Sequence, residues 1–388
     1  MAATTENSLR RSDSGADPDD SITSDIAGEL EQTRYACSSL TRLRGGTANF
    51  VFRGLLSLPL EDGTKTVIIK HTEDYVASNR NFKLSAGRCL FEETSLRALD
   101  GLSSTVTVEE QFENQRNITV KAPRLLTFNP DMNTAVLEDL PESLDLKTFC
   151  ISSAASSSLS EDWGVSIGKA LGTWLRSFHR WTDEEGQASV VAELERNHTM
   201  RDLKLSVNYD TLVERVDQYP TILGEAREVF EKVRLAAVAE SERKAGPECG
   251  IIHGDFCVLV PIRALDFNPQ TSLFVVDWEL CHFGARALDV GQMLAELYML
   301  KHFRDFNAGL SIIQGFLEGY QVPDEAFAFR ALIHAGVHYV SFGPMTPGWG
   351  SPEQLEDLVK LGRDMIVKAW EKDREWFKGI WKYLFRDL

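Results

Sequence analysis

Two stretches in the last third of the chain end on residues able to do chemistry. In "GIIHGDF" (250–256) an apolar run stops at His253 and Asp255, and in "TSLFVVDWE" (271–279) a second one stops at Asp277. Both runs read as buried strands that hand a polar residue to a loop. Two carboxylates at the ends of neighbouring strands repel each other and are costly to bury unless a metal ion or a proton offsets them. Phosphoryl transfer asks for such a pair: it needs groups that hold a polyphosphate, magnesium to spread its charge, and a carboxylate to orient the attacking hydroxyl. One of Asp255 and Asp277 binds Mg2+ on this reading while the other handles the acceptor, with His253 beside Asp255 as a second candidate catalytic residue. The competing reading makes both aspartates loop caps.

The other parts of such a site precede these stretches in the expected order. "LRGGTANFVFRG" (43–54) places Gly45 and Gly46 between two strand-like runs, where backbone amides without side chains can approach phosphate. Taken alone, that turn reads as a plain hairpin. Lys70 ends the apolar run "TVIIK", within reach of the α- and β-phosphates of ATP, although a lysine finishing a strand is usually just solvated. Glu92, on the helical stretch "RCLFEETSLRALDGL", is placed to pair with Lys70; a shift of one residue would put Glu93 there instead.

Positioning these residues takes a β-rich region followed by a helical one. "NFVFRGLLSL" and "KTVIIKH" flank the Asp62-Gly63 turn and predict a hairpin. The helix around Glu92 stops at Gly101, and "TVKAPRLLTFN" and "NTAVLEDL" flank the turn "NPDMN". After the Ser-rich "ISSAASSSLSED", helical periodicity dominates, broken by a β island over 250–279. The expected fold is α+β with two lobes: a disordered acidic, Ser-rich tail over 1–30, a β-rich N-lobe over 31–140 and a mainly helical C-lobe over 141–388. The cleft between them is the natural ligand site.

Composition removes several alternatives. A formal charge of −17 over 388 residues argues against a nucleic-acid partner and reads as a solubilising surface, one that also favours a cationic small molecule. No apolar run approaches a membrane span, and the polar start carries no secretory signature, so a cytoplasmic chain is expected. The six cysteines, at 37, 89, 150, 249, 257 and 281, form no CxxC pair and read as reduced thiols. His334 and His338 lie four apart on a helix, but Ala335 stands where a zinc protease needs glutamate, so they read as packing residues. Trp349 reads either as a wall of the acceptor pocket or as an aromatic loop anchor. Nothing in the sequence fixes an oligomeric state.

"LRGGTANFVFRG", "VIIK", "FEETSLRAL", "VLEDL", "HGDF" and "VVDWELCHFGARALDVG" together resemble the aminoglycoside phosphotransferase and choline kinase group of the protein-kinase-like fold. The resemblance covers roughly residues 35–380 and is nearest in look to methylthioribose kinase and related fungal small-molecule kinases. It implies ATP and Mg2+ as cofactors and a small molecule bearing a hydroxyl as acceptor. It further implies that Lys70 contacts phosphates, Glu92 braces Lys70, and Glu138, Asp139 and Leu140 form the hinge that holds adenine. Asp255 would serve the acceptor hydroxyl, Asp277 would bind Mg2+, and Asp289, in "LDVG", would brace the loop from below.

One part is missing. The family pattern runs HGDxxxxN, the asparagine being the other magnesium ligand, and Val260 occupies that position by count. "VLVP" looks like the strand that follows the asparagine, so about three residues are absent between Cys257 and Val258, a span of at most about 10 Å. Asp266 and Asn268 fall at the far end of that strand and are poor substitutes. Losing one charge-stabilising ligand costs about 3–4 kcal/mol of transition-state stabilisation, or about 10²–10³ in rate. The expectation is an impaired kinase; the alternatives are a catalytically silent nucleotide-binding module or a mis-assembled version of an active enzyme.

Overall fold

The computed structural model describes residues 18–43, 46–109, 115–152, 159–243, 246–261, 270–345 and 349–386. It begins with helix α1 (Pro18–Leu30), where a disordered tail was expected. Ile22, Ile26 and Leu30, spaced by four, form a stripe that buries against Phe50, Phe52 and Val67. The polar residues between them hide that stripe from any average over composition. Residues 1–17 lie outside the described residues.

The N-lobe sheet is antiparallel throughout, in the order β1-β2-β3-β9-β8. Its strands are β1 (Cys37–Arg42), β2 (Phe50–Leu56), β3 (Thr66–His71), β8 (Leu125–Asn129) and β9 (Thr134–Glu138). Both expected hairpins are present. Gly63 takes φ +84° in the first turn, where Asp62 accepts the Thr64 N–H at 3.0 Å; Asn133 takes φ +48° in the second. A short hairpin, β4 (Tyr75–Val76) and β5 (Asn79–Lys83), leads into helix α2 (Arg88–Ala98), which Gly101 follows at φ +87°.

A second sheet, ordered β10-β12-β13-β7-β6, corrects the expected lobe boundary. Hairpin β6 (Ser103–Glu109) and β7 (Gln115–Lys121) leaves the N-lobe sheet, and β7 pairs in parallel with β13 (Gln270–Val276), Ile118 opposite Thr271. Ile118 and Val120 are fully buried in the core of the helical lobe, and burial of that face fixes the register. Strands β10 (Ser143–Asp145) and β12 (Cys257–Pro261) complete the sheet; β11 (Cys249–Ile252) pairs separately with β14 (His282–Ala285).

The helical lobe contains α3 (Leu146–Ile151), α4 (Glu161–Trp181), α5 (Ala188–Leu194), α6 (His198–Leu205), α7 (Thr211–Gln218), α8 (Pro220–Leu223), α9 (Arg227–Ser241), α10 (Ala287–Arg304), α11 (Ala308–Tyr320), α12 (Glu325–Ser341) and α13 (Pro352–Trp370). Helices α4 and α11 touch backbone to backbone. A Cβ on Gly168 would stand 2.0 Å from the Ile312 carbonyl oxygen, and one on Gly315 would stand 1.9 Å from that of Val165. Only glycine permits such an approach. Beneath the site, Trp174 packs on Phe256 and Trp278 with ring centroids 6.1 and 5.9 Å apart. Among the described residues, no helix is long and apolar enough to cross a membrane.

Candidate active site

Strand β3 runs apolar into the core and carries Lys70 as its penultimate residue, with the side chain buried. Its Nζ donates to Glu92 Oε1 at 2.8 Å and to Asp277 Oδ1 at 2.8 Å. Helix α2 turns Glu92 inward, while Glu93 bonds Arg97 on its own helix, which decides the register in favour of Glu92. Burial alone would depress the Lys70 pKa, but Asp277, Glu92 and Glu279 outweigh it and hold the ammonium well above its ordinary value. Burial raises the Glu92 carboxyl, with Lys70 opposing and Glu279 and Asp277 reinforcing the rise.

Asp277 follows β13 in the left-handed region, at φ +64°. A non-glycine residue there costs of order 1 kcal/mol and persists where surrounding packing enforces it. Its side chain is 54% exposed, and only Oδ1 is engaged among the described residues. Two residues on, buried Glu279 accepts from Asn49 Nδ2 at 2.5 Å and Arg88 Nε at 3.2 Å. Arg88 also donates to Asn49 Oδ1 at 2.9 Å and to the carbonyls of Ala48, Glu73, Leu84 and Ser85. This buried network ties the start of β2, the start of α2 and the turn after Asp277 into one unit. Sequence reading missed it, because nothing local marks Arg88 as buried.

On the 253–256 turn, Asp289 of α10 accepts the N–H of His253 at 2.8 Å and of Gly254 at 2.9 Å, the bracing position expected of it. His253 departs from expectation. It is fully buried; its Nε2 donates to the Val276 carbonyl at 3.0 Å, and its Nδ1 accepts the Asp255 N–H at 3.2 Å. With both nitrogens committed to backbone, it supports the loop and has none left for a substrate. Asp255 is 39% exposed, and its Oδ1 accepts from Gln292 Nε2 at 2.5 Å, with Lys204 Nζ 3.5 Å away. Burial works to raise its pKa, yet Lys204, Gln292 and His253 outweigh that and leave it below the usual carboxylate value.

The short loop is present as a structural fact. Strand β12 opens at Cys257, opposite Val276, and Val258 faces Val275. Val260, the residue that matches the asparagine by count, is a buried strand residue opposite Leu144 of β10. The ladder holds its register from Cys257 onward, with no residue left over between Cys257 and Val258. Burial, reinforced by Asp255, Glu296 and Asp277, keeps the Cys257 thiol protonated, well above its ordinary pKa. Asp266 and Asn268 lie outside the described residues.

Gly45 also lies outside them; Gly46 is exposed between β1 and β2. Glu138, Asp139 and Leu140 leave β9 together, half-buried, and Asp139 is fixed by Arg53 through hydrogen bonds of 2.9 and 3.0 Å. His334 is a packing residue, its Nδ1 2.9 Å from the Tyr209 hydroxyl, and Trp349 anchors its loop edge-on to Phe303.

No family model matches this chain. Phosphotransferase FrzJ of Cladobotryum sp is 34% identical to it over 367 residues, which are 92% of this chain and 94% of that protein. A 4-hydroxytryptamine kinase of Psilocybe cyanescens is 24% identical over 347 residues, 87% of this chain and 90% of that protein. Among solved structures, the GDP complex of an aminoglycoside 2'-phosphotransferase covers 92% of this chain and 97% of its own at 15% identity, with a TM-score of 0.47. With an identity of 34% running through nearly the whole of both chains, this protein belongs to the same family of phosphotransferases as FrzJ.

Proposed function

We propose that this phosphotransferase moves the γ-phosphoryl group of ATP to a hydroxyl of a small molecule. The observation that carries this reading is Lys70 held 2.8 Å from both Glu92 and Asp277, with Asp255 on the adjoining turn. The β12–β13 register sets Asp255 two residues before Cys257 and Asp277 one residue after Val276, at the same end of one ladder. The acceptor oxygen attacks the γ-phosphorus, the bond to the bridging oxygen breaks, and ADP leaves with the electron pair. The hydroxyl proton passes to Asp255, whose Oδ2 is free to take it among the described residues. Lys70 orients the phosphates through its fixed ammonium, and the residues at 138–140 supply the adenine hinge.

Asp277 suits one Mg2+: its second oxygen is unengaged and half-exposed, and magnesium commonly takes one or two carboxylates plus substrate phosphates. Bound there, the ion would spread the charge of the polyphosphate. Among the described residues a second ion finds no matching donor, since the protonated thiol of Cys257 is no hard oxygen ligand. Among the described residues no group of three or more His, Cys, Asp or Glu is placed to hold a metal. The cytoplasm, which supplies ATP and keeps thiols reduced, suits a chain whose six cysteines are all free.

The test is magnesium-dependent ADP release from ATP with a panel of alcohols and phenols, beginning with 4-hydroxytryptamine, the acceptor named for a relative. The tight turn into Cys257 favours a second reading, a nucleotide-binding module that transfers little or nothing. ATP-dependent thermal stabilisation without ADP release over the whole panel would establish it.

A further inference from the structure

The 253–256 turn keeps Asp255 close to β12 and leaves its side chain no backbone donor of its own. Two side chains from elsewhere hold it. Gln292 of α10 gives Nε2 to Asp255 Oδ1 at 2.5 Å and to Glu296 Oε1 at 3.1 Å, and its own Oε1 accepts from Lys204 Nζ at 3.1 Å. The amide is thereby fixed in one orientation, with its oxygen on the ammonium and its nitrogen on the carboxylates. Glu296 is in turn fixed by Lys147 at 3.0 Å.

Lys204 belongs to α6, which is anchored at both ends. At its start, Asn197 Nδ2 donates to the carbonyls of Glu279 at 3.1 Å and Cys281 at 2.8 Å, just past Asp277. At its end, a π-helical turn (Ser206–Asp210) follows, and Asn208 Nδ2 bonds back to the Lys204 carbonyl at 2.8 Å. Such turns are frequent at functional sites. One short helix thus touches the turn behind Asp277 and delivers a cation to Asp255.

We infer that Lys204 and Gln292 are the positioning residues of Asp255: they clamp its Oδ1, leave Oδ2 for the acceptor hydroxyl, and place a fixed positive charge beside the shortened loop. The inference rests on the phosphotransfer reading. The cavity behind the clamp, lined by Lys204, Asn208, Gly254, Gln292 and His334, measures about 40 Å³. Asp255 is not among the residues that line it, so an acceptor that reaches Asp255 does so from the Oδ2 side.

The test is steady-state magnesium-dependent ATP hydrolysis, with water as acceptor, for the wild-type protein, Lys204→Met, Lys204→Arg, Gln292→Leu, Asp255→Asn and the double variant Asp255→Asn/Lys204→Met. Lys204→Met and Gln292→Leu are expected to lower kcat by about 100-fold, the scale of a small misplacement of a reacting group, with KM for ATP and ATP-induced thermal stabilisation unchanged. Lys204→Arg is expected to recover most of the loss, and Lys204→Met to add nothing in the Asp255→Asn background. Full kcat in Lys204→Met, or an undiminished loss in the Asp255→Asn background, would overturn this inference alone. A wild-type protein that binds ATP yet never releases ADP would overturn the phosphotransfer reading, and this inference with it.

Discussion

Lys70 donates a hydrogen bond of 2.8 Å to Asp277 across 207 residues of sequence, joining the N-lobe sheet to the turn after β13. The contact brings together a buried cation and a half-exposed carboxylate. Lys70→Met removes the cation and strands Glu92 among other carboxylates. Breaking a buried pair this way costs about 3–5 kcal/mol. Urea denaturation should show a loss of that order, and ATP should no longer stabilise the variant in a thermal shift assay.

Restoring the loop should restore rate. A Gly-Asn-containing insert of three residues between Cys257 and Val258 leaves Val258 opposite Val275 and adds back a hard ligand near Asp277. The expected gain in kcat is about 10²–10³-fold with magnesium. Equal activity of the two forms would show that the missing asparagine is not limiting.

The α4–α11 contact gives a stability prediction independent of function. Gly168→Ala gains helix propensity of about 1 kcal/mol but drives a methyl group into the backbone of Ile312 and Phe316, at 2.0 and 2.7 Å. Overpacking should win, with a net loss of about 3 kcal/mol. The matched control is Gly28→Ala on α1, where a Cβ meets nothing within 4 Å. That variant should be neutral or slightly more stable in the same denaturation experiment.

Arg88 and Glu279 should behave as one unit. Arg88→Met leaves Glu279 buried with only Asn49 as donor, and Glu279→Gln leaves Arg88 short of a counter-charge. Each should cost several kcal/mol, and the double variant much less than the sum. Additive losses would show that the two do not communicate.

Acid should weaken the fold through its buried histidines. Burial lowers the pKa of His282 to about 4 and of His338 to about 4, and holds that of His334 well below its ordinary value. Unfolded, each titrates near ~6.5. Between these values the unfolded chain binds protons that the folded one refuses, so stability falls as pH drops from ~6.5 toward ~4. Each such histidine contributes about 1.4 kcal/mol per pH unit. Denaturation midpoints at pH 7.5 and 5.5 check this; equal values would exclude it.

Local signals were readable and distant ones were not. The Asp62-Gly63 and Asn129–Asn133 turns both follow from residues within a few positions of each other. The short loop was also legible, since Val258 and Val260 keep an alternating strand pattern. Helix α1 escaped because its three apolar residues are diluted by polar neighbours. Lys204 and Arg88 escaped for another reason: their partners lie 88 and 191 residues away, and only the assembled fold shows what each long cationic side chain covers.

The β6–β7 hairpin bears on how the molecule admits its nucleotide. Because β7 is hydrogen-bonded along β13, the polypeptide passes between the two halves at 99–103, at 121–125 and again at 138–143, where a single linker would leave a free pivot. Swinging one half against the other would bend three connecting segments at once. A nucleotide would therefore enter between walls tied together at three places.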